Sequence, residues 1–413
     1  MGWGGGTKKA KGLCPLDPHQ RRSLWNPFVL GEGRASQELP CPIPCPPSPR
    51  LKRAGSKSCA LSGVQGRSPW PSFCPSPRLT QRILTASIAL GLFLPYPAVA
   101  AGLTVYSRLD FAPAVGVAFS RKTGIAVRVR RPPAHGLFAR IRAEGDHPRW
   151  SVAWFYGASA AVMLDRRGLL AHGLAAPSGL TAMGAASVPA DGSYVATGLG
   201  LGGVLVMPKA APFAPPATWA DLTAPAYRGL IGMNDPATSD QGVSPVMAMV
   251  QAAGGWPAAQ GYFLSLKQAG LHIYGDTATT LAALRSGAIQ IAIMRSSAAL
   301  RASTIDPSLR VVVPKPAAVL ASVIVMAGHL PASERAAAER FIAYVNSPAA
   351  LRIEMRQGGD DGAFWPVVSD VAPASAMPSA ASLTPVMVDP AQSARDRSAI
   401  IAWFSKTIVG AST

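Results

Sequence analysis

A chain of 413 residues carrying 39 Lys+Arg against 21 Asp+Glu, a net charge of +18, invites a nucleic-acid partner. The surplus is uneven: the first hundred residues hold 13 of the cations against 3 acids, and the remainder has no dense basic stripe with interleaved aromatics, which argues against that class. All five cysteines (Cys14, Cys41, Cys45, Cys59, Cys74) lie in the same leading stretch, so the chain beyond it has neither a disulfide framework nor a thiolate metal site.

Residues 1–77 are rich in Pro, Arg and Cys and lack a hydrophobic period, as in CPIPCPPSPR. Such a stretch buries too little apolar surface to offset the entropy of ordering, and it reads as a disordered or mis-annotated N-terminal extension. Residues 78–100 read as a signal peptide. Arg78 and Arg82 precede ILTASIALGLFLPYPAVA, and Ala98-Val99-Ala100 supplies the small residues of a cleavage site after Ala100. Pro95 and Pro97 interrupt the apolar run, which falls short of the roughly 20 residues that span a bilayer. The mature chain is therefore expected in the periplasm, without stable membrane insertion.

From residue 101 strands and helices alternate. LTVYS is a short β-branched run; Phe111, Val115, Ala118 and Phe119 follow at helical spacing and stop at Gly124. IAVRV alternates as a half-buried strand should, with Arg128, Arg130 and Arg131 on its solvent face and exit. GLFARIRAEG is a helix, SVAWF a strand and ASAAVMLDRRG another helix. This order predicts a doubly wound parallel sheet. An apolar run, YVATGLGLGGVLVMPK, then reads as a crossover between two lobes. Its glycines (198, 200, 202, 203) come near G-x-G-x-x-G but open no helix, so they do not read as a dinucleotide site. A second α/β unit follows, with strands at GLIGM, LHIY and AIQIAIM and helices through Val246, around Tyr262–Gln268 and over TATTLAALRSG. LRVVVP and ASVIVMA are two further strands. ASERAAAERFIAYVNS and PAALRIEMRQGG are late helices, the second with Ser347 as N-cap and Pro348 at its first position.

Ligands of open α/β sheets bind beyond the C-terminal ends of the strands, where helix N-termini expose N–H groups and partial positive charge. The residues there are Ser107 and Arg108, His135 and Gly136, Tyr156, Asn234 and Thr238, Tyr274 and Thr277, and Arg295, Ser296 and Ser297. Repetition of small hydroxyl and glycine residues in both halves, with two arginines suited to phosphate, phosphonate or carboxylate, points to an anion-holding cleft. Catalysis has little support. The histidines form no metal spacing, no G-x-S-x-G elbow is present, and Asp360 and Asp361 in their glycine-rich context read as a polar turn.

LTVYSRLDFAPAVGVAFSRKTG, TWADLTAPAYRGLIGMNDPATSDQG, GDTATTLAALRSGAIQIAIMRSSAA and FIAYVNSPAALRIEM with GAFWPVVSDV together resemble periplasmic solute-binding proteins of ABC importers, in the ferric-ion, polyamine, thiamine and phosphonate group. The resemblance implies a type II periplasmic-binding-protein fold: lobe 1 over 101–197, lobe 2 with the hinge crossover over 198–305, and a return to lobe 1 over 306–413. It also implies a monomer that binds a small solute without a cofactor and docks on an inner-membrane permease. In the ferric-ion binders the Arg295 junction resembles a strand followed by paired tyrosines that hold the metal; here Ser296 and Ser297 stand in their place. Neutral hydroxyls beside a cation suit an oxyanion better than a hard trivalent metal. The expected solute is a phosphonate or phosphate ester, its organic part covered by Tyr156, Tyr274 or Trp365. Ferric iron, a polyamine or thiamine is the alternative within the family, and an exported hydrolase the alternative of another class.

Overall fold

The computed structural model describes Met1, residues 102–133 and residues 136–410. The expected N-terminal extension, the signal peptide and His135 lie outside the described residues.

The first sheet has six strands. β1 (Leu103–Ser107), β2 (Val127–Arg130) and β3 (Val152–Tyr156) run parallel, connected by α1 (Ala112–Thr123) and α2 (Leu137–Glu144). α1 ends where Gly124 takes φ 75° and returns its N–H to Ser120 O, a left-handed cap that a side chain would strain. After β3 come α3 (Ala158–Asp165), the single turn α4 (Ala182–Ala185) and β4 (Val195–Leu201), which is buried along its whole length.

Only Gly202 and Gly203 separate β4 from β5 (Val204–Pro208), the first strand of the second sheet. That sheet has five strands in the order β7-β6-β8-β5-β9. Its remaining elements are β6 (Ile231–Asn234), α5 (Asp240–Ala252), α6 (Ala259–Gln268), β7 (His272–Tyr274), α7 (Thr277–Ser286), β8 (Ile291–Met294), α8 (Ser296–Ile305) and β9 (Leu309–Val312). α7 is capped at both ends, by the Asp276 carboxylate accepting from Thr279 N–H at 2.8 Å and by Gly287 at φ 79°.

The chain crosses back into β10 (Ala317–Met326), whose ten residues are all buried. β10 pairs antiparallel with β3 and β4 and parallel with β11 (Pro385–Met387). α9 (Ala332–Val345) and α10 (Pro348–Gln357) intervene, and Ser347 caps α10 by accepting from Ala350 N–H. The two crossings lie side by side, since Gly202 N–H donates to Ala318 O at 2.8 Å. The parallel winding read from the sequence holds within β1-β2-β3 and β7-β6-β8, whereas β5 and β10 enter antiparallel. Both are crossover strands, and a strand arriving directly from the other lobe has no helix to turn it parallel.

The last helix, α11 (Pro390–Phe404), runs on as a π turn over Ser405–Val409. Ile400, Phe404 and Ile408 enter the core of the second sheet, where the Phe404 ring meets Phe263 edge-on at 5.4 Å. The same helix lies along α3 of the first lobe. β9 likewise belongs to the second sheet, paired with β5, so the return to the first lobe begins at β10 rather than at residue 306. Among the described residues no helix is long and apolar enough to cross a membrane.

Candidate functional site

Between the lobes lies a cavity of about 610 Å³. Each wall is made where strands end and helices begin. On the first lobe Arg108 and Leu109 follow β1, Phe138 stands on α2, Tyr156 closes β3 and Ser159 opens α3. On the second, Thr238 and Ser239 precede α5, and Asp276 and Thr277 begin α7. α3 and α5 have no side-chain cap on their first N–H groups, so the helix ends present donors and partial positive charge.

Charge in the cavity is mostly cancelled in pairs. Arg295, 5% exposed, lays its guanidinium over the Tyr156 ring at 4.6 Å and pairs with Asp361, with a further bond to Asp360 O at 3.4 Å. Asp361 also accepts from Asp110 N–H at 2.9 Å, while Asp110 pairs with Arg131 at 2.8 Å. Asp360 faces Arg301 at 3.4 Å; burial, then the neighbouring Asp110 and Asp361, raise its pKa above the ordinary aspartate value. Burial also raises the pKa of the Tyr156 phenol, against the pull of Arg295. The Thr279 hydroxyl and N–H hold the Asp276 carboxyl below its usual range. Arg108 differs from these cations. Its Nη1 donates to Pro132 O at 2.7 Å, and it has no carboxylate partner among the described residues.

Five of the residues expected at the site line this cavity: Arg108, Tyr156, Thr238, Thr277 and Arg295. The other described ones have different work. Ser107 Oγ accepts from Leu109 N–H at 3.1 Å and shapes the turn after β1. Gly136 precedes α2 and donates its N–H to Pro133 O. The Asn234 amide bonds the hydroxyls of Thr277 at 2.9 Å and Thr280 at 2.6 Å, fixing the start of α7 to the end of β6. The Tyr274 ring packs at Gly232 and stacks beside His272. Ser296 Oγ accepts from Leu201 N–H at 3.0 Å, at the end of the crossover strand β4. Ser296 and Ser297 line a small adjoining cavity of about 20 Å³ that shares Leu109, Tyr156, Arg295 and Asp361 with the main one. Trp365 is buried, exchanges backbone bonds with Leu199 and donates Nε1–H to Pro378 O at 3.0 Å.

Sequence reasoning missed Asp110, Arg131 and Asp361. The glycine-rich turn carrying Asp361 reads as solvated, but it folds as a 3₁₀ turn over Gly359–Asp361 that meets the start of α8. Arg131 read as the exit of an exposed strand and instead turns into the cavity, where Nη2 also donates to Arg108 O at 2.9 Å. Away from the cavity, Asp165, His172 and Asp191 bring their ligand atoms within 4.8 Å of one another, with His172 Nε2 and Asp165 Oδ1 2.6 Å apart. No regular spacing marks these three, because they come from the end of α3, the irregular segment after it and the turn before β4.

The sequence model of a family described as bacterial extracellular solute-binding protein matches residues 114–385. Among solved structures, iron-bound HitA from Pseudomonas aeruginosa is similar at 21% identity and a TM-score of 0.61, over 73% of this chain and 98% of that one. AfuA from Actinobacillus pleuropneumoniae with exogenous fructose-6-phosphate bound is similar at 16% identity and a TM-score of 0.64, over 75% and 99%. A periplasmic thiamin binding protein gives 18%, 0.56, 73% and 94%. No curated protein sequence matches the chain.

Proposed function

The chain belongs to the bacterial extracellular solute-binding protein family, and from that premise we propose that its cleft captures a small organic anion of phosphonate or phosphate-ester type in the periplasm and delivers it to an ABC permease. The two-lobed type II fold of its structural neighbours supports the coarse role.

One observation carries the choice of solute. Arg108 borders the cavity without a carboxylate partner among the described residues, opposite a wall that offers the hydroxyls of Thr238 and Thr277 and the start of α5. A guanidinium fork and helix N–H groups bind a tetrahedral oxyanion in complementary directions. Asp276, an ionised acceptor on the same wall, suits a hydroxyl on the organic part, as in a phosphorylated polyol. The neighbour with fructose-6-phosphate bound is consistent with that class.

Ferric iron fits these donors less well. Tyr156 is the one tyrosine among the described lining residues, and its hydroxyl is buried beside Arg295 with its acidity suppressed. A hard trivalent cation calls for several ionised oxygen donors, and of the four described aspartates lining the cavity Asp110, Asp360 and Asp361 already face arginines, which leaves Asp276 as a single such donor.

The test is a thermal-shift panel of phosphonates, phosphate esters, polyamines, thiamine compounds and ferric citrate, followed by calorimetric titration of the best class. A ligand at a hundredfold excess over Kd stabilises by about 2.7 kcal/mol. Arg108→Gln is expected to weaken binding of the phosphate class at least tenfold, equivalent to about 1.4 kcal/mol, with Tm unchanged. Undiminished affinity in that variant, or a shift with ferric citrate alone, would sink the assignment.

A further inference from the structure

Phe138 and Arg397 line the main cavity on one side and a second cavity of about 300 Å³ on the other. Its walls come from α2 and α3 of the first lobe, from Pro236 and Ala237 of the second, and from α11. Among the described residues, the charged ones lining it are Arg142 in the last turn of α2, Arg167 just after α3, and Arg397 on α11, which is already engaged in an interaction of its own. No carboxylate lines it among the described residues. The rest of the wall is apolar, with Phe138, Met163 and Leu164 prominent. Arg167 returns one N–H to Met163 O at 3.1 Å, and Arg142 has no hydrogen bond or ion pair among the described residues.

The guanidiniums of Arg142 and Arg167, facing one apolar chamber, raise its potential, and an anion entering from the main cleft relieves it. The apolar wall meanwhile favours a carbon framework over a bare inorganic ion. We infer that this chamber is a second ligand compartment, which takes the distal anionic end of an elongated organic solute. The inference rests on the proposed reading of the cleft: with the first anionic group at Arg108, the solute passes Phe138 and ends between Arg142 and Arg167. It is thus an organic bis-anion with a spacer, and because the chamber draws walls from both lobes, filling it favours the closed arrangement.

Two measurements on the purified protein separate this inference from the reading beneath it. Titration calorimetry compares α,ω-alkane bisphosphonates of increasing length with alkylphosphonates of equal length. At one length the bisphosphonate is expected to bind at least tenfold tighter, and the double substitution Arg142→Gln/Arg167→Gln to abolish that gain while leaving the monophosphonate affinity as it was. Monophosphonate binding with no gain at any length overturns the second compartment and leaves the cleft reading intact. The chamber is also probed alone with 1-anilinonaphthalene-8-sulfonate, an aromatic sulfonate, whose saturable fluorescence is expected to be lost in the double arginine variant and in Ala237→Trp, which fills the chamber. If phosphonates of both kinds fail to bind while the sulfonate shows this dependence, the compartment stands and the cleft reading falls. Sulfonate fluorescence that is absent, or the same in all three proteins, overturns the compartment. The substituted residues are exposed, and unchanged Tm values confirm that the variants fold.

Discussion

Cutting Arg295 back to Ala removes a buried guanidinium from above the Tyr156 ring and leaves Asp361 buried without its counter-charge. Breaking a buried pair from one side costs roughly 3–5 kcal/mol, far more than the pair's net contribution to folding. Arg295→Ala is therefore expected to lower Tm sharply, and Arg295→Met with Asp361→Leu to recover much of the loss; equal losses in the single and double variants would mean that the pair is not the cause. The place of Arg295 at the cavity wall was legible from the strand that runs into it. Its partner was not, because Asp361 lies 66 positions away and nothing in a glycine-flanked acid pair announces burial. The adjacent serines show the same limit. Their place after β8 was readable, but the N–H that Ser296 accepts belongs to a strand of the other half of the chain. Glu354, 1% exposed with Oε1 lacking a partner, offers a second test. Burial raises its pKa well above the ordinary glutamate value. A carboxyl with a raised folded pKa supports the fold fully below its unfolded pKa and loses that support as pH rises through the folded one. Stability should thus fall from about pH 4 upward, and Glu354→Gln should flatten that slope and raise Tm at pH 7. Parallel Tm curves for the two proteins would contradict it.

At the level of elements, the glycines of β4 decide how closely the crossover approaches its neighbours. A Cβ on Gly200 would stand 2.9 Å from Tyr156 Oη and 3.4 Å from Ser296 Oγ, and one on Gly198 2.7 Å from the Phe364 ring. These positions are narrow because other side chains fill the space, which explains a glycine pattern that resembles a nucleotide loop without opening a helix. Gly200→Val is expected to cost about 1–3 kcal/mol by overpacking, measured by urea unfolding; a variant of wild-type stability would show that the crossover can shift. Periodicity of 2 and 3.6 made nearly every strand and helix visible, and Gly124 and Ser347 marked helix ends by their chemistry. Strand direction was not visible in the same way. The side-chain alternation of β10 is indifferent to whether a neighbour runs with it or against it, and its two antiparallel contacts follow from where the chain re-enters the sheet.

For the whole molecule, the two lobes were legible as two runs of alternating elements, whereas the allegiance of the chain end was not. Ile400, Phe404 and Ile408 fit any apolar core at that spacing, and only packing assigns them to the second. Phe404→Ala is expected to destabilise the protein by about 3–5 kcal/mol and to loosen α11 from Phe263, seen as faster amide exchange along the helix. Protection as in the parent would mean that α11 is held by α3 alone. Ligand that touches both lobes draws the ensemble toward the closed form. Small-angle scattering should then show a smaller radius of gyration with saturating ligand, and an unchanged radius would count against closure.

α11 is rooted in one lobe and rests on the other, so it lies across the division between them. If the lobes open, α3 moves against a helix whose far end is anchored by Phe404. The angle between the lobes would then depend partly on a segment that belongs to neither sheet. Small changes in how α11 meets α3, at positions remote from any bound solute, would tune the energy gap between open and closed forms and hence the apparent affinity, without altering one contact in the cleft.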